Sequence, residues 1–134
     1  MIYLDTAALV KLVRYEQESD DLFDWIEEHR GTMLVSSTLA EVELPRALRR
    51  TEPGLLAAVP GVLGRIALYE IDNLVRATAA AYPDVMLRSL DAIHLATAHA
   101  ALGDALTAFI TYDKRLLAAA ETLGLPTAHP GVPA

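Results

Sequence analysis

Short runs of contiguous apolar residues recur along the chain, and most are followed by a longer stretch in which apolar positions return every three or four residues. The first pattern predicts buried strands, the second amphipathic helices. Met1 to Leu4 reads as a strand, and Asp5-Thr6 opens a helical stretch from Ala7 to Val13. Ser19 is placed as the N-cap of a second helix, with Asp20 and Asp21 complementing the macrodipole in its first turn and Gly31 ending it. Met33 to Val35 predicts a second strand. Thr38 and Glu41 have the spacing of a capping box for a third helix, which Pro45 is expected to interrupt with a kink near Glu41. Pro53, Gly54, Pro60 and Gly61 leave room for one or two short helices with a break. Ile66 to Ile71 suggests a third strand, after which Asp72 caps an alanine-rich helix ending before Pro83. A helix from Ser89 through Leu102, a strand at Ala108 to Ile110, a helix from Asp113 through Leu123 stopped by Gly124, and an edge strand from Pro126 to His129 complete the pattern.

Strands alternating with helices imply parallel pairing, and so an α/β fold: a three-layer α/β/α sandwich around a central, mainly parallel sheet. The 134 residues suit one domain spanning 1–134, long enough to bury a core without disulfides. Hydrophobic residues make up 53 % of the chain, yet no run approaches the length of about 18 apolar residues that spans a bilayer. Met1-Ile-Tyr-Leu-Asp5 lacks a basic n-region and carries a carboxylate where a signal peptide is apolar. With no cysteine, thiolate and disulfide chemistry are excluded, and a reducing cytoplasm is the expected setting.

In an open parallel sheet, ligands bind beyond the carboxyl ends of the strands. Asp5 and Asp113 each follow an apolar strand, so both are expected at that edge. Asp91 in the first turn of one helix and Glu43 in the interior of another can be brought to the same place by two crossovers. Four carboxylates in one cleft repel unless protons or a cation neutralise them, and oxygen ligands without cysteine or paired histidine suit hard ions such as Mg²⁺ or Mn²⁺. Taken singly, Asp91 and Asp113 serve equally well as helix-terminal acids and Glu43 as a solvated helix residue. Their combination carries the metal reading. The net charge of -7 argues against bulk electrostatic coating of nucleic acid, an objection that cations bound to four of the carboxylates weaken. Arg46 and Arg50 follow Glu43 on one side of its helix and could hold a phosphate. Lys11, Arg14, Lys114 and Arg115 are further candidates, and His94 and His99 are assigned structural roles.

The segments Ile2-Tyr-Leu-Asp5-Thr-Ala-Ala-Leu9, Ser36 to Leu44 with Arg46-Ala47, Leu90-Asp91-Ala-Ile-His-Leu-Ala96, and Thr111-Tyr-Asp113 with Arg115-Leu116 occur in an order that resembles the PIN-domain ribonucleases, and within them the VapC-type toxins of bacterial toxin–antitoxin pairs. The resemblance implies a parallel sheet flanked by helices, a Mg²⁺ site that Mn²⁺ can share, RNA cleavage, a homodimer and a cognate VapB-like antitoxin. It implies Asp5 and Asp91 as principal metal ligands, Glu43 and Asp113 as completing the acidic set, and Thr6 and Thr111 as positions near the site. Pro45 departs from the family's unbroken helix.

Two other classes are weighed against this one. An aspartate-nucleophile phosphatase needs a second acid two residues after the first, where this chain has Ala7. A non-catalytic binding module would use the acids only as caps, and it would gain no stability from Mg²⁺. Glu41 and Glu43 are about 200° apart around one helix, so only one can enter the cleft. Glu43 is preferred, since it shares a side with Arg46 and Arg50 while Glu41 is expected to partner Thr38.

Overall fold

The computed structural model describes residues 1–133. Five strands, β1 (Ile2–Leu4), β2 (Leu34–Ser37), β3 (Ala67–Tyr69), β4 (Ala108–Ile110) and β5 (Thr127–Ala128), form one parallel sheet in the order β3-β2-β1-β4-β5. The chain builds outward from β1 through β2 to β3, then returns to β1's other side for β4 and β5. Strand order therefore reverses between β1 and β4, which leaves a crevice beyond their carboxyl ends.

Alternation along the strands divides the apolar residues between two faces. Ile2, Leu4 and Ile110 pack on one face against α1 (Thr6–Val13), α2 (Ser19–Glu28), α3 (Ala40–Thr51) and α4 (Val59–Leu63). Tyr3, Val35 and Phe109 pack on the other against α6 (Ser89–Ala96) and α7 (Lys114–Thr122). This is the expected three-layer α/β/α sandwich. Its remaining helix, α5 (Asn73–Ala81), lies against α6. No helix of the described residues is long and apolar enough to cross a membrane.

Several local expectations hold. Asp72 accepts from the Val75 N–H at 2.9 Å and caps α5, and Asp113 caps α7 by accepting from the Leu116 N–H at 2.9 Å. Gly124, at φ +76, supplies the left-handed turn that ends α7's excursion.

Others are corrected. Ser19 is the first residue of α2, not its cap; its hydroxyl donates to the Lys11 carbonyl at 2.8 Å and accepts from the Glu16 N–H, tying α2 to α1. No Thr38–Glu41 capping box forms: α3 starts at Ala40 without a side-chain cap, and Ser37 Oγ receives the Leu39 N–H at 3.1 Å. Pro45 does not interrupt α3, which runs on to Thr51. The proline removes a donor to the Glu41 carbonyl, and Glu41 is exposed, so water can satisfy that oxygen. The helix expected from Ser89 to Leu102 is α-helical through Ala96 and then widens into a π-helical turn, Thr97–Leu102.

Burial sets the stability of α3 far more than its propensity does. Leu44 is fully buried while its neighbour Val42 is 58 % exposed, so Leu44→Ala is expected to cost about 2–5 kcal/mol and Val42→Ala to stay within about 0.5 kcal/mol. Urea unfolding of the two variants checks this.

Candidate active site

Asp5 ends β1 and caps α1 at the reversal of strand order, where it is almost wholly buried. Its Oδ1 accepts from the Ala8 N–H at 2.9 Å and its Oδ2 from the Thr111 hydroxyl at 2.6 Å. Thr111, buried beyond the end of β4, also accepts from the Asp113 N–H at 3.1 Å. One hydroxyl thus joins the end of β1 to the cap of α7. Burial pushes the Asp5 carboxyl above the usual carboxylate range; His94, Thr111 and the Ala8 amide oppose that shift, and the charge of Asp91 adds to it.

Asp91 sits half-buried in the first turn of α6. Burial raises its carboxyl too, and the charges of Asp113 and Glu43 add to the effect against the opposing pull of His94 and Arg88. Asp91 and Asp113 line one cleft of about 330 Å³ together with Arg88, Lys114 and Arg115. Arg88, which the sequence did not single out, follows an irregular segment and precedes α6, where no periodicity marks it. Arg46 and Arg50 are exposed on α3 and do not line this cleft, nor does either pair with Glu43. Lys11 is occupied elsewhere, bridging Glu16 at 3.0 Å and Glu18 at 2.9 Å.

Glu43 projects from α3 into a different set of partners. Its Oε1 accepts from the Thr6 hydroxyl at 2.6 Å and from His94 Nε2 at 2.7 Å. Burial would raise this carboxyl, but the hydrogen bonds from His94 and Thr6 prevail and hold it below the usual carboxylate range. His94, 2 % exposed, reaches Tyr3 Oη with its other nitrogen at 2.6 Å. The structural role expected for His94 is therefore incomplete, since the ring contacts a carboxylate of the acidic set. Tyr3 and His94 are 91 residues apart, and only the position of His94 one turn after Asp91 hinted at the contact.

Among the described residues, no three Asp, Glu or His side chains gather with the spacing of a finished metal cage. Asp5 is held by Thr111 and Glu43 by His94 and Thr6, while Asp91 and Asp113 share the cleft, and the charges of Asp113 and Glu43 reach Asp91 through space. The donor set still fits a hard divalent ion. The charges around Asp91 raise its carboxyl through space, and Mg²⁺ characteristically takes one or two carboxylates and keeps several waters.

A family model described as PIN domain matches residues 2–122. The chain belongs to the PIN domain family. It is 56% identical over 132 residues to Ribonuclease VapC35 of Mycobacterium tuberculosis (strain ATCC 25618 / H37Rv), with 98% of each chain covered. To Ribonuclease VapC47 of M. tuberculosis (strain CDC 1551 / Oshkosh) it is 40% identical over 134 residues, again with 98% of each covered. The crystal structure of FitAcB from Neisseria gonorrhoeae aligns with a TM-score of 0.62 over 97% of this chain and 98% of that one; at 22% identity the likeness is one of fold. In this PIN domain the strand-order reversal and the acidic residues coincide.

Because the Asp91 carboxyl is raised, the native state binds a proton there at a higher pH than the unfolded chain does. Stability in EDTA should therefore grow as pH falls from neutral through that raised pKa, since a native state holding more protons is favoured by acid. Asp91→Asn should lack this part of the gain and be at least as stable as the parent at neutral pH. Thermal unfolding in EDTA between neutral and mildly acidic pH measures both.

Proposed function

We propose that this PIN domain is a divalent-metal-dependent endoribonuclease, the toxin of a VapC-type toxin–antitoxin pair, and that Mg²⁺ is its working ion with Mn²⁺ as a substitute. The observation that carries the reading is the coupling of carboxylates from distant segments at the strand-order reversal, beside a cleft lined by Arg88, Lys114 and Arg115. The sequence kinship to two ribonucleases supports it along nearly the whole chain. A phosphodiester brings negative charge, so a cleft that sets cations beside metal-binding carboxylates suits that substrate.

Asp5, Glu43, Asp91 and Asp113 would hold the cation, which when bound would supply an activated water and charge stabilisation for the phosphate and the leaving oxygen. Arg88, Lys114 and Arg115 bind and orient the RNA backbone. Thr111 positions Asp5 and Asp113 through one hydroxyl, and Thr6 steadies Glu43. Arg46 and Arg50 are candidates for RNA contact outside the cleft. The functional unit is a homodimer in the cytoplasm, held silent by a VapB-like antitoxin.

Asp5→Asn and Asp91→Asn should each abolish RNA cleavage, and EDTA should abolish it in the parent. Mn²⁺ should restore turnover and Ca²⁺ should bind without restoring it, because Ca²⁺ takes looser geometry and more ligands. Glu43→Gln should lower the rate by about tenfold or more, while Glu41→Gln, exposed and without a capping partner, should change neither rate nor stability. A single-turnover assay on total RNA reads all of these, and full activity in EDTA contradicts the mechanism.

A further inference from the structure

The proposed nuclease centre leaves one buried polar chain unexplained. Tyr3 is fully buried on β1 and His94 nearly so on α6, and their 2.6 Å contact lies inside an apolar layer made by Val35, Leu95 and Phe109. A buried hydroxyl and imidazole are costly there unless every donor finds an acceptor. The assignment of protons follows from the partners. A carboxylate oxygen accepts, so the His94 Nε2 that meets Glu43 Oε1 at 2.7 Å carries a hydrogen. The single proton of Thr6 goes to the same Oε1 at 2.6 Å, so its 3.2 Å contact with Nε2 is one in which Thr6 accepts. The ring's other nitrogen, Nδ1, meets the Tyr3 hydroxyl at 2.6 Å, so the imidazole is held at both ends.

Resting on the nuclease reading, we infer that Tyr3 and His94 are positioning residues of the centre: Tyr3 holds the His94 ring from the sheet interior, and the ring's Nε2–H, with Thr6, fixes the orientation of Glu43. Both protein donors fall on Oε1. Oε2 is left as the oxygen free to meet a cation or its water. The geometry also explains why Glu43 enters the centre and Glu41 does not: only Glu43 has a donor pair built to hold it. The chain runs outward from the sheet interior, Tyr3 to His94 to Glu43, so a change at Tyr3 reaches Glu43 without touching substrate or metal.

The test begins on the parent protein without metal. Histidine ¹⁵N spectra in EDTA, assigned by comparison with His94→Gln, should show a hydrogen on His94 Nε2, and Tyr3→Phe, which removes one oxygen, should shift the His94 signals. Mn²⁺ titration should show weaker binding for His94→Leu than for the parent. In single-turnover and steady-state cleavage, His94→Leu should lower kcat by about tenfold with KM within about twofold, and Tyr3→Phe should lower it by about threefold or more. His94→Gln should recover a large part of the loss, because its amide N–H can reach where Nε2–H stood. A parent His94 bare on Nε2 would overturn the assignment. Equal kcat for His94→Gln and His94→Leu, or an unchanged spectrum and kcat in Tyr3→Phe, would overturn the positioning role. If His94→Leu does not fold, the parent spectrum and Tyr3→Phe decide alone. If the parent cleaves no RNA under any condition, the nuclease reading fails, and the spectra and Mn²⁺ titration still decide the role of the chain.

Discussion

Everything at the carboxyl edge of the sheet depends on keeping negative charges close together without letting them collapse the fold. Asp5 is the sharpest case, a carboxylate almost wholly buried at the one place where strand order reverses. Water cannot reach it freely, so protein donors must satisfy it. The Ala8 amide and the Thr111 hydroxyl do so, which makes the same two bonds serve as the N-cap of α1 and as the tie between β1 and β4. A helix cap is worth about 1 kcal/mol, and here it offsets part of the desolvation that the site requires. The carboxyls of Asp5 and Asp91 nevertheless remain raised above their ordinary range. In the proposed nuclease a divalent cation would relieve that strain, so stability given up in the free protein would be regained on binding.

Glu43 solves the same problem by another route. It is held low, not raised, because His94 and Thr6 both donate to a single oxygen. The site therefore contains two kinds of carboxylate: Asp5 and Asp91, raised chiefly by burial with neighbouring carboxylates adding to it, and Glu43, lowered by dedicated donors. Environments that push titratable groups apart are characteristic of sites that do chemistry. Glu43 and the histidine that holds it are mounted on opposite layers of the sandwich. Glu43 comes from α3 on one face and His94 from α6 on the other, and they meet over the end of β1. Packing of both layers against the same strand thus sets the 2.7 Å contact.

The parts of this arrangement that were legible in the sequence are those encoded locally. Five apolar runs marked the five strands to within a few residues, and Asp72 and Asp113 marked their helices because an N-cap bond spans only three positions. The PIN-type segments named the carboxylates together with Thr6 and Thr111. What failed was local grammar overridden by tertiary partners. Ser19 had the composition of a cap, but the Lys11 carbonyl and the Glu16 amide claimed its hydroxyl. Thr38 and Glu41 had capping-box spacing, yet Ser37 supplied the oxygen at that turn. The Tyr3–His94 contact and the lining of the cleft by Arg88 join segments with no common periodicity, so no spacing rule reaches them.

The central claim is that the coupled carboxylates at the β1–β4 reversal are a divalent-cation site. Crystals of the parent protein soaked in Mn²⁺ and measured for anomalous scattering test it most directly. A peak at ligand distance from oxygens of Asp5, Asp91 or Asp113, lost in Asp91→Asn crystals, is the predicted result. A parent crystal that binds Mn²⁺ only elsewhere on the surface, or not at all at saturating metal, would contradict it.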